Sequence, residues 1–137
     1  MQFPTLAKDQ VRRPIVPVRL LGPNRRWSTI DALIDTGSDI TLFPERLAER
    51  LGVNLTGIAE VPLTTALGTI ATYRAVELTL ELRRFPDTMR WQGVVGFLPR
   101  HVTYGLLGTR GFFEFFDVQY SACRRFTEIQ SSNVVKP

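Results

Sequence analysis

The sequence is short of the residues on which much enzyme chemistry depends. Its 137 residues include one histidine, His101, and one cysteine, Cys123. A structural zinc site wants four nitrogen or sulfur ligands, so this pair cannot build one within a single chain. A disulfide within the chain is excluded too, and with it the usual sign of a small secreted scaffold. No apolar run approaches the roughly 18 residues of a membrane-spanning helix. The N-terminal stretch MQFPTLAKDQVRR has no apolar core of the signal-peptide kind. The expected compartment is therefore the cytoplasm. Charge of one sign is also scarce: 17 Lys and Arg against 13 Asp and Glu leave +4. That excess permits acidic partners without demanding them.

What is present is ordinary globular material. Hydrophobic residues make up 44% and charged residues 22%, a composition that folds. The length suits one domain, large enough to hold itself together without a metal or a disulfide. With histidine and cysteine nearly absent, proton chemistry falls to the carboxylates, six Asp and seven Glu.

Residues 1–13 read as a polar N-terminal arm, residues 14–129 as the folded domain, and residues 130–137 as a polar tail. Within the domain, residues 15–21 alternate in β fashion, and Gly22-Pro23-Asn24 turns them into a second strand over 27–34. Ile40 to Phe43 resumes β character. Pro44 at a first helical position and Gly52 just past the end bracket a short helix over 44–52. Residues 58–65 and 70–82 form a long hairpin with Gly68 near its tip. Residues 90–97 are a further strand. Gly105-Leu106-Leu107-Gly108 leads into a short helical segment over 109–116, and residues 117–129 close as a hairpin. This gives an all-β domain of seven or eight short strands with two small helices.

One segment sits awkwardly in that pattern. Ala32-Leu33-Ile34-Asp35-Thr36-Gly37-Ser38-Asp39-Ile40-Thr41-Leu42-Phe43 places a carboxylate in a tight turn walled by apolar β sequence. A buried lone carboxylate is costly unless it is hydrogen-bonded or paired. Gly37 lets backbone amides come close to it, and Thr36 adds a hydroxyl. A local choice that works against stability is often functional.

Leu33-Ile34-Asp35-Thr36-Gly37-Ser38 resembles, position by position, the motif of the retropepsin-like aspartic proteases. The likeness continues in order: residues 58–82 resemble the flap hairpin of that family, and Gly105-Leu106-Leu107-Gly108 its second motif. The resemblance covers about residues 14–129. It implies a closed acid-protease barrel with a flap and one or two short helices. It implies catalysis by Asp35, Thr36 and Gly37, with Asp39, Leu67, Gly68, Ile70 and Leu106 on the substrate. No metal or cofactor is called for. Such proteases face two carboxylates on one water, and this chain holds one Asp-Thr-Gly, so the resemblance implies a homodimer with Asp35 of each protomer at the axis. At an effective dielectric of about 20, two charges about 3 Å apart repel by roughly 5–6 kcal/mol, so the pair would share one proton. Thr36 would bond across the axis, and an extended peptide would add as a strand beneath the flap.

Two departures stand out. Retroviral relatives carry an Arg directly after the second motif, paired with an acidic residue at the offset of Asp39. Here Thr109 follows Gly108, and Arg110 comes one residue later. Asp39 thus reads equally as a substrate contact or as a turn cap. The hairpin is also poor in glycine, with Gly68 at the tip and Gly57 at its base. These departures keep a second reading open, a retropepsin-fold module that binds peptide or protein without cleaving it.

His101 reads as a surface-loop residue and Cys123 as a plain thiol. The doublets Arg12-Arg13, Arg25-Arg26, Arg83-Arg84 and Arg124-Arg125 are scattered along the chain and read as guards of strand ends rather than as a nucleic-acid site. The expected partners are a second copy and a peptide, with no nucleic acid and no membrane-spanning segment.

Overall fold

The computed structural model describes residues 1–8, 11–65, 68–99 and 102–132. Twelve strands and one helix lie among them. The body is a barrel. Strand β4 (Ile15–Leu21) follows three short N-terminal strands and pairs antiparallel with β5 (Trp27–Ile34). In β4 every second residue, Val16, Val18 and Leu20, is fully buried. That period of two lays one face of the strand on the core.

After β5 come β6 (Thr41–Pro44), helix α1 (Glu45–Leu51), β7 (Glu60–Thr65), β8 (Gly68–Arg84) and β9 (Asp87–Leu98). Strand β10 (Gly105–Leu107) is short and inserts between β5 and β6. The sheet runs β4-β5-β10-β6-β9-β8-β7, and β8 also pairs with β4. That last pairing closes the ring. Strand β7 and the start of β8 stay outside it as a projecting hairpin.

The core is filled from all sides. Leu80 and Leu82 of β8, Val95 and Phe97 of β9 and Phe43 of β6 point inward and are essentially inaccessible. Helix α1 plugs one end with Leu47, Ala48 and Leu51. Pro44 is the cap of this helix rather than its first residue, at φ −68 and ψ 145. Gly52 ends the helix at φ +71 and its N–H returns to the carbonyls of Ala48 and Glu49. Glycine reaches that left-handed region without a Cβ penalty.

The segment over 109–116 departs from the expected helix. Residues 111–115 form consecutive turns whose amides bond irregularly: Phe113 N–H to Gly108 O, Phe115 N–H to Phe112 O and Phe116 N–H to Phe112 O. The phenylalanines at 112, 115 and 116 have helical spacing because they share a buried cluster. Trp91 meets Phe116 edge-on at 4.6 Å and donates from its indole to Gly111 O at 2.8 Å.

Residues 1–13 also depart from a loose arm. Strand β1 (Gln2–Pro4) pairs antiparallel with β12 (Phe126–Ser131), which pairs with β11 (Phe116–Ser121). Phe3 is the anchor, 3% exposed. Strands β2 (Leu6–Lys8) and β3 (Val11–Arg13) form a separate hairpin. Three-residue strands leave too short a pattern to register as β in sequence.

Glu81 on β8 is a buried charge with full compensation. Its side chain is inaccessible, and Arg19, Arg83 and Arg90 surround it. Arg90 donates twice to Oε2, at 3.0 and 2.6 Å, Arg83 Nε lies 3.2 Å from Oε1, and Arg19 bonds Oε1 closely. Burial pushes its pKa up, but the hydrogen bonds and charges of Arg90 and Arg19 outweigh that and hold it below the usual 4.5. A lowered folded pKa stabilises the native state above the unfolded pKa and is lost as pH falls through the folded value. Glu81→Gln should cost roughly 1–3 kcal/mol in urea unfolding at neutral pH, because three arginines lose the negative charge they share and one of its two acceptor oxygens becomes an amide donor. The gap between the two proteins should narrow as pH falls below that of ordinary carboxylates, and a gap that stayed constant with pH would count against the ion-pair account.

Candidate active site

Asp35 follows the last residue of β5, and the turn it opens is fixed from both sides. The Asp35 N–H donates to Leu107 O of β10 at 3.0 Å. Gly37 N–H donates to Asp35 Oδ1 at 2.9 Å, and Ser38 N–H to Asp35 O at 3.2 Å. The carboxylate is therefore aimed by the backbone of its own turn, while Asp35 stays half-exposed. A charge-assisted bond of this kind is stronger than a neutral one. Thr36 and Gly37 are exposed at the tip. The buried Ser38 hydroxyl donates to Ile40 O at 2.7 Å and draws the chain into β6.

Strand β10 locks the turn. It runs parallel to β5, with Leu107 opposite Ile34, and antiparallel to β6, with Leu106 opposite Leu42. Beyond it, Thr109 N–H donates to Ser38 O and Arg110 N–H to Asp39 O, each at 2.9 Å. Thr41 N–H returns to Arg110 O at 2.9 Å, and Gly108 N–H donates to the buried Thr41 hydroxyl at 3.1 Å. Gly108 sits where the two segments touch. A Cβ there would lie 2.5 Å from Ile40 O and 2.6 Å from Ser38 O.

Asp39 is exposed, and what ties it to Arg110 is backbone: the Arg110 amide on Asp39 O and a bridge between Ile40 and Arg110. Among the described residues the two side chains form no ion pair. Leu106 is half-buried and joins a second apolar cluster, separate from the barrel core, with Ile40, Leu42 and Leu98. Leu63, Ala71 and Tyr73 of the β7–β8 hairpin pack onto the same cluster. Leu42, Leu98, Val102, Thr103, Tyr104 and Leu106 line a cavity of about 300 Å³. Gly68 and Ile70 lie at the end of the hairpin, Ile70 46% exposed. Leu67 and His101 fall outside the described residues.

The structure thus brings Leu106 beside the strand that leads into Asp35 and packs the hairpin on the same apolar cluster as Leu106. It adds Thr41, Leu42, Tyr73, Leu98 and Gly108, which sequence reasoning did not assign to a site. Thr41 carried one available signal, a hydroxyl residue in an apolar β run. Larger cavities of about 410 and 480 Å³ lie by α1 and by the Gly22 turn, lined by no residue of 35–39. Among the described residues no group of His, Cys, Asp and Glu is arranged to hold a metal ion. No helix there is long and apolar enough to cross a membrane.

The family model described as "Aspartyl protease" matches residues 16–110, from β4 through the segment that locks the turn. No curated protein matches the chain. Among solved structures, a retropepsin-like aspartic protease from Rickettsia conorii aligns with a TM-score of 0.61 at 15% identity, over 93% of this chain and 88% of that one. The EIAV protease complexed with the inhibitor HBY-793 aligns at 0.43 with 14% identity, over 76% of this chain and 88% of that one. The match spans most of the barrel and includes Asp35, and the closed β architecture agrees with it: the chain belongs to the aspartyl protease family, with a retropepsin-like fold.

Proposed function

We propose that the chain is an aspartic endopeptidase, active as a homodimer with one Asp35 from each protomer. The observation that carries this reading is the turn itself. A half-exposed carboxylate is aimed by the Gly37 amide at 2.9 Å, on a scaffold locked by β10. Nothing in that arrangement supplies the second proton carrier that water activation needs, so a second copy completes it. The exposed Thr36 sits at the tip where a partner turn would meet it.

In the dimer, two carboxylates about 3 Å apart cannot both ionise, so they hold one proton between them. The ionised Asp35 takes a proton from water, whose oxygen attacks the scissile carbonyl carbon. The protonated Asp35 of the other protomer gives its proton to the carbonyl oxygen. A proton then passes to the nitrogen, the C–N bond breaks, and an acid and an amine leave. An extended peptide would lie under the β7–β8 hairpin as a flap. The cluster around Leu106, Leu42 and Tyr73 supports an apolar side chain in the substrate.

Peptide-library digestion at a series of protein concentrations, with sedimentation equilibrium alongside, tests this reading. Specific activity should fall at dilutions where the dimer dissociates, and the pH–rate profile should be bell-shaped. A strict monomer without cleavage at any pH would favour the second reading, a peptide-binding module. The absence of a side-chain pair between Asp39 and Arg110 is the observation on that side.

A further inference from the structure

The turn between β8 and β9 carries the most exposed large apolar side chain among the described residues. Phe85 is 98% exposed, against 51% for Val11, the next. It occupies a two-residue turn with Pro86, between Arg84 and Asp87. An isolated exposed apolar residue is normal on a protein surface. This one stands at the end of a strand pair that, counting the neighbouring strand, carries four arginines toward that end. Arg83 and Arg84 precede it and Asp87 follows it, while Arg90 and Arg19 stand on the neighbouring strands and with Arg83 surround Glu81, so four arginines stand against two carboxylates in this part of the chain. Glu81 is inaccessible beneath its arginines, while the side chains of Arg83 and Arg90 remain 60% and 59% exposed. Arg19 and Arg90 are steadied over the Trp27 ring, their guanidinium carbons 4.5 and 5.1 Å from its centroid.

We propose that this hairpin tip docks the protein on an anionic membrane surface, with Phe85 entering the headgroup region and the arginines contacting lipid phosphates and carboxylates. An aromatic ring flanked by cationic side chains suits the interface, where one end is apolar and the other wet. Basic residues near an anionic leaflet add attraction that falls off within a Debye length. A soluble acidic protein would also meet the arginines, and binding to a soluble polyanion but not to vesicles would mark that case. The placement also leaves the candidate active site free. Strand β8 runs from Gly68 at the hairpin over the cleft to Arg84 beside Phe85, a path of about 55 Å at about 3.3 Å per residue. Docking at one end keeps the other end in solution.

The full-length chain should be tested by co-sedimentation with phosphatidylcholine vesicles, with and without phosphatidylserine, at low and physiological ionic strength. Binding should require phosphatidylserine and weaken with salt. Phe85→Ser should reduce partitioning about tenfold, and Arg84→Glu roughly thirtyfold, with both variants melting as the wild type does and matching it in peptide-library digestion. Wild-type protein that stays in the supernatant overturns the proposal. So does vesicle binding that Phe85→Ser leaves unchanged, since charge alone would then explain it. Heparin binding without vesicle binding assigns the arginines to a soluble polyanion and overturns it as well.

Discussion

Replacing Asp35 by Asn should abolish peptide cleavage, with a loss of at least about 10³-fold, and leave the fold in place. In the proposed dimer one substitution would remove both carboxylates, leaving no ionised base and no shared proton. General acid–base catalysis contributes typically about 10²–10⁴-fold for each group, and groups acting as a unit lose nearly everything when one is removed. The fold should survive because Asn keeps the size of Asp and a side-chain oxygen for the Gly37 amide. The check is peptide-library digestion followed by mass spectrometry, with thermal unfolding of both proteins. Wild-type cleavage rates in the variant would end the catalytic assignment of Asp35. Lost cleavage with a collapsed melting transition would instead mark Asp35 as structural.

Gly108→Ala should be strongly damaging although it adds a single carbon. The new methyl would sit 2.5 Å from Ile40 O and 2.6 Å from Ser38 O, well inside van der Waals contact. Both obstacles are backbone atoms of the segment that leaves the Asp35 turn, so no rotamer change relieves the clash. Either β10 moves outward or the turn does. Overpacking of this kind costs about 1–3 kcal/mol and occasionally more. We expect about 3 kcal/mol in chemical denaturation, because Thr109 and Arg110 N–H bonds stretch with it. Activity should fall further than stability, since the carboxylate is aimed by the same turn. A variant with wild-type stability and turnover would show that the close approach is not needed.

The parts legible in the sequence were those with strong local patterns. The alternating runs gave β4, β5 and the long hairpins, and Gly52 ended α1. The centre of the candidate site stands out in the sequence because Asp-Thr-Gly between apolar strands conflicts with simple burial. The rest depended on contacts distant in sequence. Strand β10 is three residues long and owes its β character to β5 and β6 on either side, so no window centred on it shows a period. Phe112, Phe115 and Phe116 imitate a helical stripe, yet what joins them is a ring cluster in which Phe116 meets Phe112 and Phe115, and Trp91 meets Phe112 and Phe116. Phe3 carries β1 into a sheet formed by the other end of the chain. In the sequence Glu81 shares the polar positions of an alternating strand with Glu77 and Thr79. Its role emerges once Arg19 and Arg90 arrive from flanking strands.

Strand β10 has one more consequence, and it concerns time. Leu107 pairs with Ile34, more than seventy positions earlier, and the amides of Thr109 and Arg110 complete the lock. Contacts of such sequence separation form late, after the entropy of closing a long loop has been met. During synthesis the Asp35 turn is made early but stays unsupported until residue 110 has left the ribosome. A nascent or truncated chain lacking β10 holds the carboxylate without the frame that aims it. The order of residues along the chain therefore sets an order of assembly, in which the Asp35 turn gains its frame only after residue 110 is made.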